Sequence, residues 1–379
     1  MVTRRTALVG MTATALAGSL SGGVVAMAQP PRPRDGRSRR GPLVIGHRGA
    51  SGYRPEHTLA SYELAARLGA DFLEPDLVVT RDGVLVCRHE PMINDTTDVA
   101  RHPEFASRRT TKTLDGEPIE GWFTEDFTLA ELKTLRAVER LPQIRQQNTL
   151  YDGRFEIPTF QELLDLRARL SNELRRTLGV YPETKHPTFF QRADLPLEPR
   201  LLEILRRNQL NQPDAPVFVQ SFEVTNLMQL REAGLRTRSV QLLEGTGAPF
   251  DTTAAGSGPT YADLATPAGL RGIARYAQGI GPEKQQVIPR NPDGTLGSPT
   301  ALVANARDAG LIVHPYTFRA ENNFLPVDFR ISAVLSDFGR AIDEQVTYLR
   351  AGIDGVFTDH PDIGVVARAD FRATAPAGG

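Results

Sequence analysis

The sequence contains a single cysteine, Cys87, among its 379 residues. One cysteine excludes an internal disulfide and any zinc-finger arrangement, so a bound metal would have to be held by oxygen or imidazole ligands. The chain also lacks an excess of either charge, because 44 basic and 45 acidic residues leave a net charge of −1. Without a bulk electrostatic field the chain is not expected to bind nucleic acid or an anionic membrane surface, and any recognition of charge must be local.

The first residues have the composition of an export signal. Arg4 and Arg5 precede an apolar, Ala-rich run over residues 6–25, and Ala26-Met27-Ala28 supplies a small-x-small cleavage pattern. We predict a signal peptide of the twin-arginine type over residues 1–28. The small residues and the cleavage pattern disfavour a permanent membrane anchor, so no stable membrane insertion is expected after cleavage. The mature protein is expected to be periplasmic or extracellular.

Residues 29–41 form a Pro/Arg-rich segment that cannot bury apolar area, and we predict a disordered linker there. From residue 42 onward, short apolar runs that end in polar residues alternate with segments of helical period. Repeated about eight times, this pattern predicts an α/β fold of the TIM (β/α)₈ barrel type. A doubly wound open sheet is the alternative, and the barrel is preferred because polar side chains follow many strands instead of gathering at one switch point. The predicted strands are residues 43–46, 72–79, 84–88, 179–185, 217–222, 239–244, 279–284, 311–317 and 355–361.

The chain is longer than the roughly 250 residues typical of a TIM barrel, so an inserted segment is required. Residues 93–150 are charged, show little strand periodicity and contain one clear helical pattern, near residues 129–138. We therefore predict a barrel domain over residues 42–368 with an insertion at 93–150 that covers the barrel mouth, followed by a flexible tail at 369–379. A separate inserted domain is the less favoured reading, because the apolar content of the segment is too low for its own core.

Three carboxylates lie on predicted strands. Glu74 and Asp76 are two residues apart on one strand, so their side chains point to the same face, and apolar neighbours surround them. Pro75 between them cannot donate to a sheet ladder, which predicts an irregular strand. Glu183 ends another apolar run. Buried carboxylates on one face repel each other unless a cation lies between them, which predicts a divalent metal. Oxygen ligation favours Ca²⁺ or Mg²⁺ over zinc.

Two histidines and two cationic residues lie beside these carboxylates. His47 and His89 each follow an apolar run, and a pair of imidazoles in one pocket suits general acid and general base catalysis at neutral pH. Arg48 has the fork geometry that binds phosphate oxygens, while Gly49 allows a close backbone approach. Lys185 lies two residues after Glu183 and therefore on the same face.

The remaining histidines receive no chemical role. His57 and His186 lie near the predicted site, and His314 and His360 end late strands, where they are expected to line the pocket. The roles of these four side chains stay open.

The segments HRGASGYRPEHT and GADFLEPDLVVTRDGVLVCRHEP, with YPETKHP, QSFE and AGIDGVFTDHPD further along, resemble the glycerophosphodiester phosphodiesterase family, in particular its secreted or periplasmic bacterial branch. The resemblance implies a TIM barrel that hydrolyses glycerophosphodiesters to sn-glycerol 3-phosphate and an alcohol, with a divalent cation that is usually calcium. It also implies that His47 and His89 are the acid/base pair, that Arg48 and Lys185 contact the phosphate, and that Glu56 supports the pocket. The implied metal ligands are Glu74, Asp76 and Glu183. His57 stands where many members of the family carry Asn.

Two competing functions remain at this level. A related barrel phospholipase, of the phosphatidylinositol-specific phospholipase C or sphingomyelinase D type, would act on intact lipids. A catalytically silent barrel would only bind glycerophosphodiesters, and it would lack one of the histidines or carboxylates. Head-group preference, the choice between Ca²⁺ and Mg²⁺, attack by water or by the glycerol 2-hydroxyl, and the oligomeric state are not predicted.

Overall fold

A computed structural model describes residues 41–374. The predicted signal peptide and nearly all of the predicted linker lie outside the described residues. The strands are β1 (Leu43–His47), β2 (Phe72–Glu74), β3 (Asp76–Val79), β4 (Leu85–Cys87), β5 (Thr110–Leu114), β6 (Glu117–Gly121), β7 (Gly179–Val180), β8 (Glu183–Thr184), β9 (Phe218–Ser221), β10 (Arg238–Leu243), β11 (Gly279–Pro282), β12 (Ile312–Val313) and β13 (Gly355–Thr358).

The helices lie between these strands and after the last one. They are α1 (Leu59–Arg67), α2 (Leu129–Leu132), α3 (Phe160–Glu173), α4 (Pro187–Arg192), α5 (Leu197–Arg207), α6 (Val224–Glu232), α7 (Phe250–Ala254), α8 (Tyr261–Leu264), α9 (Pro267–Ile273), α10 (Lys284–Val287), α11 (Leu302–Asp308), α12 (Ala341–Arg350) and α13 (Pro361–Thr374). Thr159 begins α3 with a capping box, in which its hydroxyl accepts from the Glu162 amide while the Glu162 carboxylate accepts from the Thr159 amide. None of the helices in residues 41–374 is long and apolar enough to span a bilayer.

Parallel pairing joins the strands into a closed barrel. The order is β13-β1-β2-β7 in one sheet and β12-β11-β10-β9-β8-β3-β4 in the other, where β4 is antiparallel to β3. The strands β2 and β3 form one interrupted stave, as do β7 and β8. The ring closes between β12 and β13, where the Asp354 amide donates to the Val313 carbonyl at 2.9 Å and the Phe357 amide donates to the Pro315 carbonyl at 3.2 Å. The predicted TIM barrel is therefore confirmed.

Prolines interrupt the two staves that carry the carboxylates. Pro75 separates β2 from β3, and Pro182 lies in the gap between β7 and β8. Because proline has no N–H to donate, the sheet ladder breaks at both positions. Asp76 and Glu183, which follow these prolines, pair directly with each other in parallel register. The break in the strand that Pro75 predicts is therefore present, and the neighbouring stave of β7 and β8 has a similar break at Pro182.

Aromatic rings fill the barrel interior. Tyr181 stacks on Phe218 at a ring-centroid distance of 4.8 Å and meets Phe357 edge-on at 4.9 Å. His314 packs into the same layer, where its Nδ1 lies 3.1 Å from the Tyr181 hydroxyl. Burial lowers the pKa of His314 to about 3, so this imidazole stays neutral at physiological pH. The expectation that His314 lines the pocket was wrong, because it faces the closed interior of the barrel.

The inserted segment lies between β4 and α3. It contains a hairpin of β5 and β6 that the sequence reading missed, and the helix expected at 129–138 is only the short α2. The Asp115-Gly116 turn has left-handed backbone at both residues, with φ of 48° and 91°, which is the geometry of a type I′ hairpin turn. The Asp-Gly pair was therefore a readable signal, masked by the charged residues around it. Helix α2 stops early because the Ala137 and Val138 amides donate to carbonyls of Phe155 and Thr96 instead.

The chain end is more ordered than expected over residues 369–374. These residues were predicted as part of a flexible tail, but α13 continues to Thr374. Phe371 explains the extension, because its ring packs against the core cluster that includes Val356 and Leu349. A helix whose last turn buries an aromatic ring gains enough apolar contact to persist.

Candidate active site

A cavity of about 510 Å³ opens at the carboxyl ends of the barrel strands. His47, Arg48, His89, Glu183 and Lys185 all line it. His89 reaches this level although β4 is not a barrel stave, because β4 runs antiparallel to β3 and returns the chain to the mouth. The structure therefore brings together residues that lie more than a hundred positions apart, which is the usual location of active sites in this fold.

The carboxylates of Glu74, Asp76 and Glu183 form one buried cluster, with one oxygen of each within 4.8 Å of the others. Burial and the neighbouring carboxylates raise the pKa of Glu74 well above its ordinary value. Burial also raises the pKa of Glu183 to about 8, against the opposing effect of Lys185. Buried acids that resist ionisation in this way have too little positive charge beside them, and an all-oxygen set suits a hard divalent cation. The residues present therefore fit a divalent metal.

Asp76 differs from its two neighbours because its pKa is lowered, not raised. Burial acts on it too, but the hydrogen bond from His57 and the charge of Arg48 hold its pKa well below the ordinary value. His57 lies with Nε2 2.9 Å from Asp76 Oδ2 and Nδ1 2.7 Å from the Tyr62 hydroxyl. Its backbone is left-handed, with φ of 54°. His57 thus fixes the orientation of one candidate ligand, which gives a physical role to a residue that the sequence left open.

Arg48 lies between the carboxylate cluster and the cavity. Its amide donates to Glu74 Oε2 at 2.7 Å, and its Nη1 donates to Glu56 Oε2 at 3.0 Å. Its φ of 57° is left-handed, and Gly49 follows at 89° with its α-carbon so close to Ser61 that a Cβ there would lie 2.4 Å from the Ser61 hydroxyl. The strained turn directs both the amide and the guanidinium of Arg48 toward the site.

Lys185 directly follows β8, far along the chain from the turn at Arg48. Its Nζ is 3.1 Å from Glu183 Oε1 and its side chain is nearly buried. Attraction to Glu183 and Glu90 outweighs the effect of burial and raises the pKa of Lys185, so the ammonium group stays charged. Arg48 and Lys185 therefore place two buried cations beside the carboxylate cluster, which suits an anionic substrate.

A buried ion cluster holds His47 in place. Its Nδ1 lies 2.6 Å from Asp359 Oδ1, and Asp359 Oδ2 accepts from Arg145 Nη2 at 2.6 Å and from Arg319 Nε at 2.9 Å. Because a carboxylate only accepts, the proton of neutral His47 belongs on Nδ1, and Nε2 carries the lone pair. Burial and the charge of Arg48 lower the pKa of His47 to about 4. Asp359 was missed in the sequence although it follows a strand like the other site residues.

A second set of contacts surrounds His89. Its Nδ1 lies 3.0 Å from Glu90 Oε1, and Glu90 Oε2 lies 2.7 Å from His186 Nε2. Burial and the cationic neighbours Arg48 and Lys185 lower the pKa of His89 to about 3. Both histidines of the predicted pair therefore have an Nδ1 beside a carboxylate, which leaves the two Nε2 atoms free for a substrate.

His360 does not share this arrangement. It is fully buried between Tyr53 and Phe338, with ring centroids 4.9 Å and 4.8 Å away, and it accepts from the Ala320 amide at 3.3 Å. It is not among the residues that line the 510 Å³ cavity. The expected pocket-lining role was wrong, because Asp359 faces the site while the next side chain along the chain points the other way.

These features define a class, the barrel enzymes that bind a phosphate ester beside a divalent cation. The model of the glycerophosphoryl diester phosphodiesterase family matches residues 47–363. The chain belongs to that family.

Sequence relatives agree with this assignment, and solved structures agree with the fold. A glycerophosphodiester phosphodiesterase of Arabidopsis thaliana is 37% identical over 330 residues, covering 84% of this chain and 83% of its own. One from Haemophilus influenzae is 29% identical over 343 residues, covering 85% and 88%. The solved structure of a Silicibacter pomeroyi protein, described as a glycerophosphoryl diester phosphodiesterase, has a TM-score of 0.61 at 22% identity, covering 89% of this chain and 96% of its own. An Oleispira antarctica phosphodiesterase, solved with the product sn-glycerol-3-phosphate, has a TM-score of 0.55 at 20% identity and covers 86% and 96%.

Proposed function

We propose that the protein hydrolyses glycerophosphodiesters, such as glycerophosphocholine, to sn-glycerol 3-phosphate and an alcohol. The observation that carries the proposal is the convergence on one cavity of two carboxylate-held imidazoles, two buried cations and a carboxylate cluster. The Arabidopsis and Haemophilus relatives both bear the name glycerophosphodiester phosphodiesterase, which supports the same substrate class.

Glu74, Asp76 and Glu183 would hold the divalent cation. When bound, the ion supplies positive charge that stabilises negative charge developing on the phosphoryl oxygens. We favour Ca²⁺ over Mg²⁺, because carboxylates on two interrupted staves offer an irregular oxygen set that tolerates the flexible coordination of calcium. Arg48 and Lys185 add fixed positive charge on either side of the same position and would orient the phosphate.

His47 and His89 would transfer the protons. Each has its Nδ1 occupied by a carboxylate, so each presents Nε2 to the substrate. The lowered pKa values keep both imidazoles neutral in the free protein at pH 7, so that either could accept a proton from the attacking oxygen, whether of water or of the glycerol 2-hydroxyl. The negative charge of a bound phosphodiester favours protonation of a nearby imidazole, which then serves as the acid for the leaving alcohol.

The function is tested by release of glycerol 3-phosphate from glycerophosphocholine. Activity should disappear on treatment with a chelator and return with Ca²⁺, and Mg²⁺ should restore less. A parallel assay on phosphatidylinositol and sphingomyelin vesicles addresses the lipase alternative, for which we expect no product. Turnover that is insensitive to chelator would contradict the metal assignment, and faster turnover of the vesicles would contradict the substrate class.

We also propose that the protein is exported and belongs to the periplasmic or secreted bacterial branch of the family. The support is the paired Arg4 and Arg5, the Ala-rich run and the Ala26-Met27-Ala28 pattern. Expression in a bacterium with a functional twin-arginine pathway should yield a mature chain that begins at Gln29. Amino-terminal sequencing that finds Met1 or Val2 on the accumulated protein would contradict export.

A further inference from the structure

The turn of the inserted hairpin lies within hydrogen-bonding distance of a residue beside the active site. Asp115, the first residue of the turn between β5 and β6, has its Oδ2 2.7 Å from His186 Nδ1. His186 directly follows Lys185, and its other ring nitrogen lies 2.7 Å from Glu90 Oε2. The other oxygen of Glu90 is 3.0 Å from Nδ1 of His89. A continuous chain of contacts therefore runs from the inserted hairpin to one of the two imidazoles at the cavity.

The charge of each member follows from its neighbours. His186 lies between two carboxylates, and because a carboxylate can only accept, both ring nitrogens must carry a proton. Burial opposes the charged imidazolium, but the hydrogen bonds to Asp115 and Glu90 outweigh it and raise the pKa of His186 to about 9. Burial opposes ionisation of Glu90, but the charge of Lys185 and the contacts with His186 and His89 hold its pKa far below the ordinary value. Glu90 is thus a fixed anion, and His89 must turn a protonated Nδ1 toward it.

The backbone around His186 indicates that this orientation is imposed. His186 has a φ of 45°, a conformation that a non-glycine residue adopts at a cost in free energy. It directly precedes helix α4, whose first residue is Pro187, and the Glu223 carboxylate accepts from the Thr188 amide at 3.1 Å. The contacts of both ring nitrogens with Asp115 and Glu90 hold the His186 side chain in place on this backbone. Asp115 is also left-handed, with φ of 48°, and its side chain leaves the hairpin toward the barrel.

The chain of contacts lies beside the catalytic cavity. A second cavity of about 440 Å³ is lined by Glu90, Asp115 and His186, and it shares His89 and Lys185 with the first. Neither Asp115 nor His186 lines the first cavity. Their nearest links to the first cavity are His89, through the contact of its Nδ1 with Glu90, and Lys185, which is attracted to Glu90 and directly precedes His186.

We propose that Asp115, His186 and Glu90 are positioning residues that fix the ring orientation and tautomer of His89, so that the inserted hairpin helps to set the rate of the chemical step. The inference rests on the proposed function, because it requires that His89 transfers a proton. Asp115 anchors His186, His186 fixes Glu90, and Glu90 presents the Nε2 lone pair of His89 to the substrate. Orienting groups of this kind affect turnover much more than substrate affinity.

The test is a mutant cycle in which kcat, KM and melting temperature are measured for release of glycerol 3-phosphate from glycerophosphocholine. Asp115→Asn keeps the shape and the left-handed backbone but weakens the anchor on His186. We expect kcat to fall about tenfold with KM within about twofold of the wild type. In a His89→Ala background, Asp115→Asn should cause no further loss. Glu120→Gln, the same change at an exposed position of the same hairpin, is the matched control and should leave kcat unchanged.

Two results would overturn the inference. The first is a kcat for Asp115→Asn equal to that of Glu120→Gln. The second is an equal fractional loss with and without the His89 side chain, since a general structural defect acts in both backgrounds. A His89→Ala variant with full activity would instead contradict the proposed function, and an inactive wild type would do the same, so the two failures are distinguishable.

Discussion

Asp359 lies between His47 and Arg145, and its two carboxylate oxygens each make a 2.6 Å contact with one of them. Arg145 belongs to the inserted segment, whereas His47 ends the first barrel strand. The partner of one candidate catalytic residue is therefore held by a side chain from outside the barrel. Arg140, also from the insertion, donates to Glu56 Oε2 at 3.0 Å, the same atom that accepts from Arg48.

Because Arg145 contacts Asp359, we expect Arg145→Met to lower both the stability of the protein and its turnover. Asp359 is 2% exposed, and losing one of its two guanidinium partners leaves a buried charge partly uncompensated. We expect the free energy of unfolding to fall by about 3 kcal/mol and kcat to fall because His47 is less firmly oriented. Urea denaturation and steady-state kinetics measure the two effects.

The matched control for Arg145 is Arg109→Met, in the same insertion. Arg109 pairs with Glu120, but both side chains are at least half exposed. An exposed pair contributes less than about 1 kcal/mol. If Arg145→Met lowers the free energy of unfolding no more than Arg109→Met does, the buried charge of Asp359 does not need Arg145 to compensate it.

Removal of either imidazole should reduce turnover while the protein stays folded. We expect His47→Ala and His89→Ala each to lower kcat by ~10²–10⁴-fold, the usual contribution of general acid and base groups. His102→Ala, in the insertion and partly exposed beside Glu104, should retain wild-type turnover. Circular dichroism of each variant checks the fold. Near-normal turnover in either of the first two variants would contradict the assignment.

Calcium should stabilise the protein through the carboxylate cluster. At a Ca²⁺ concentration about 100 times the Kd, the free energy of unfolding should rise by about 2.7 kcal/mol, because the folded state alone has the assembled site. Glu183→Gln should abolish this gain, whereas Glu63→Gln on the surface of α1 should keep it. The readout is melting temperature with and without Ca²⁺. An equal gain in both variants would place the calcium elsewhere.

His186 should make the stability of the fold depend on pH in a defined direction. Its pKa is raised from 6.5 to about 9 in the folded protein, so folding favours its protonated form. The stabilisation is fully present below pH 6.5 and is lost as the pH rises toward 9. The difference in free energy of unfolding between the wild type and His186→Gln should therefore shrink between these values. A difference that stays constant from pH 6 to pH 9.5, in urea denaturation, would mean that His186 is not a cation in the native state.

The barrel and the principal site residues could be read from the sequence because both depend on local order. Apolar runs that end in polar residues mark strands, and His47, Glu74 and Glu183 occur at such ends. Of the two strand interruptions at prolines, the one at Pro75 could be predicted, because the missing N–H breaks the sheet ladder at that residue. The family motifs lie in the same segments, which is why the resemblance and the pattern lead to the same residues.

The partners of those residues were not predictable in the same way. Arg140 and Arg145 lie in a charged stretch without periodicity, and nothing in the local sequence shows that they contact Glu56 and Asp359. Asp359 itself met the strand-end criterion but was not singled out. Contacts between distant segments are decided by how the insertion packs on the mouth, and that is a property of the folded chain.

A designer who wished to shorten this protein would remove the insertion first, since it lies outside the eight staves and contains none of the seven candidate residues of the site. The shortened chain would keep the three candidate metal ligands, both imidazoles, Arg48 and Lys185. It would also lose Asp115, Arg140 and Arg145, so that His186, Glu56 and Asp359 would each be left without one of their partners. The smallest barrel that this sequence can form is therefore not the smallest enzyme, and a truncation series should lose catalytic rate before it loses the fold.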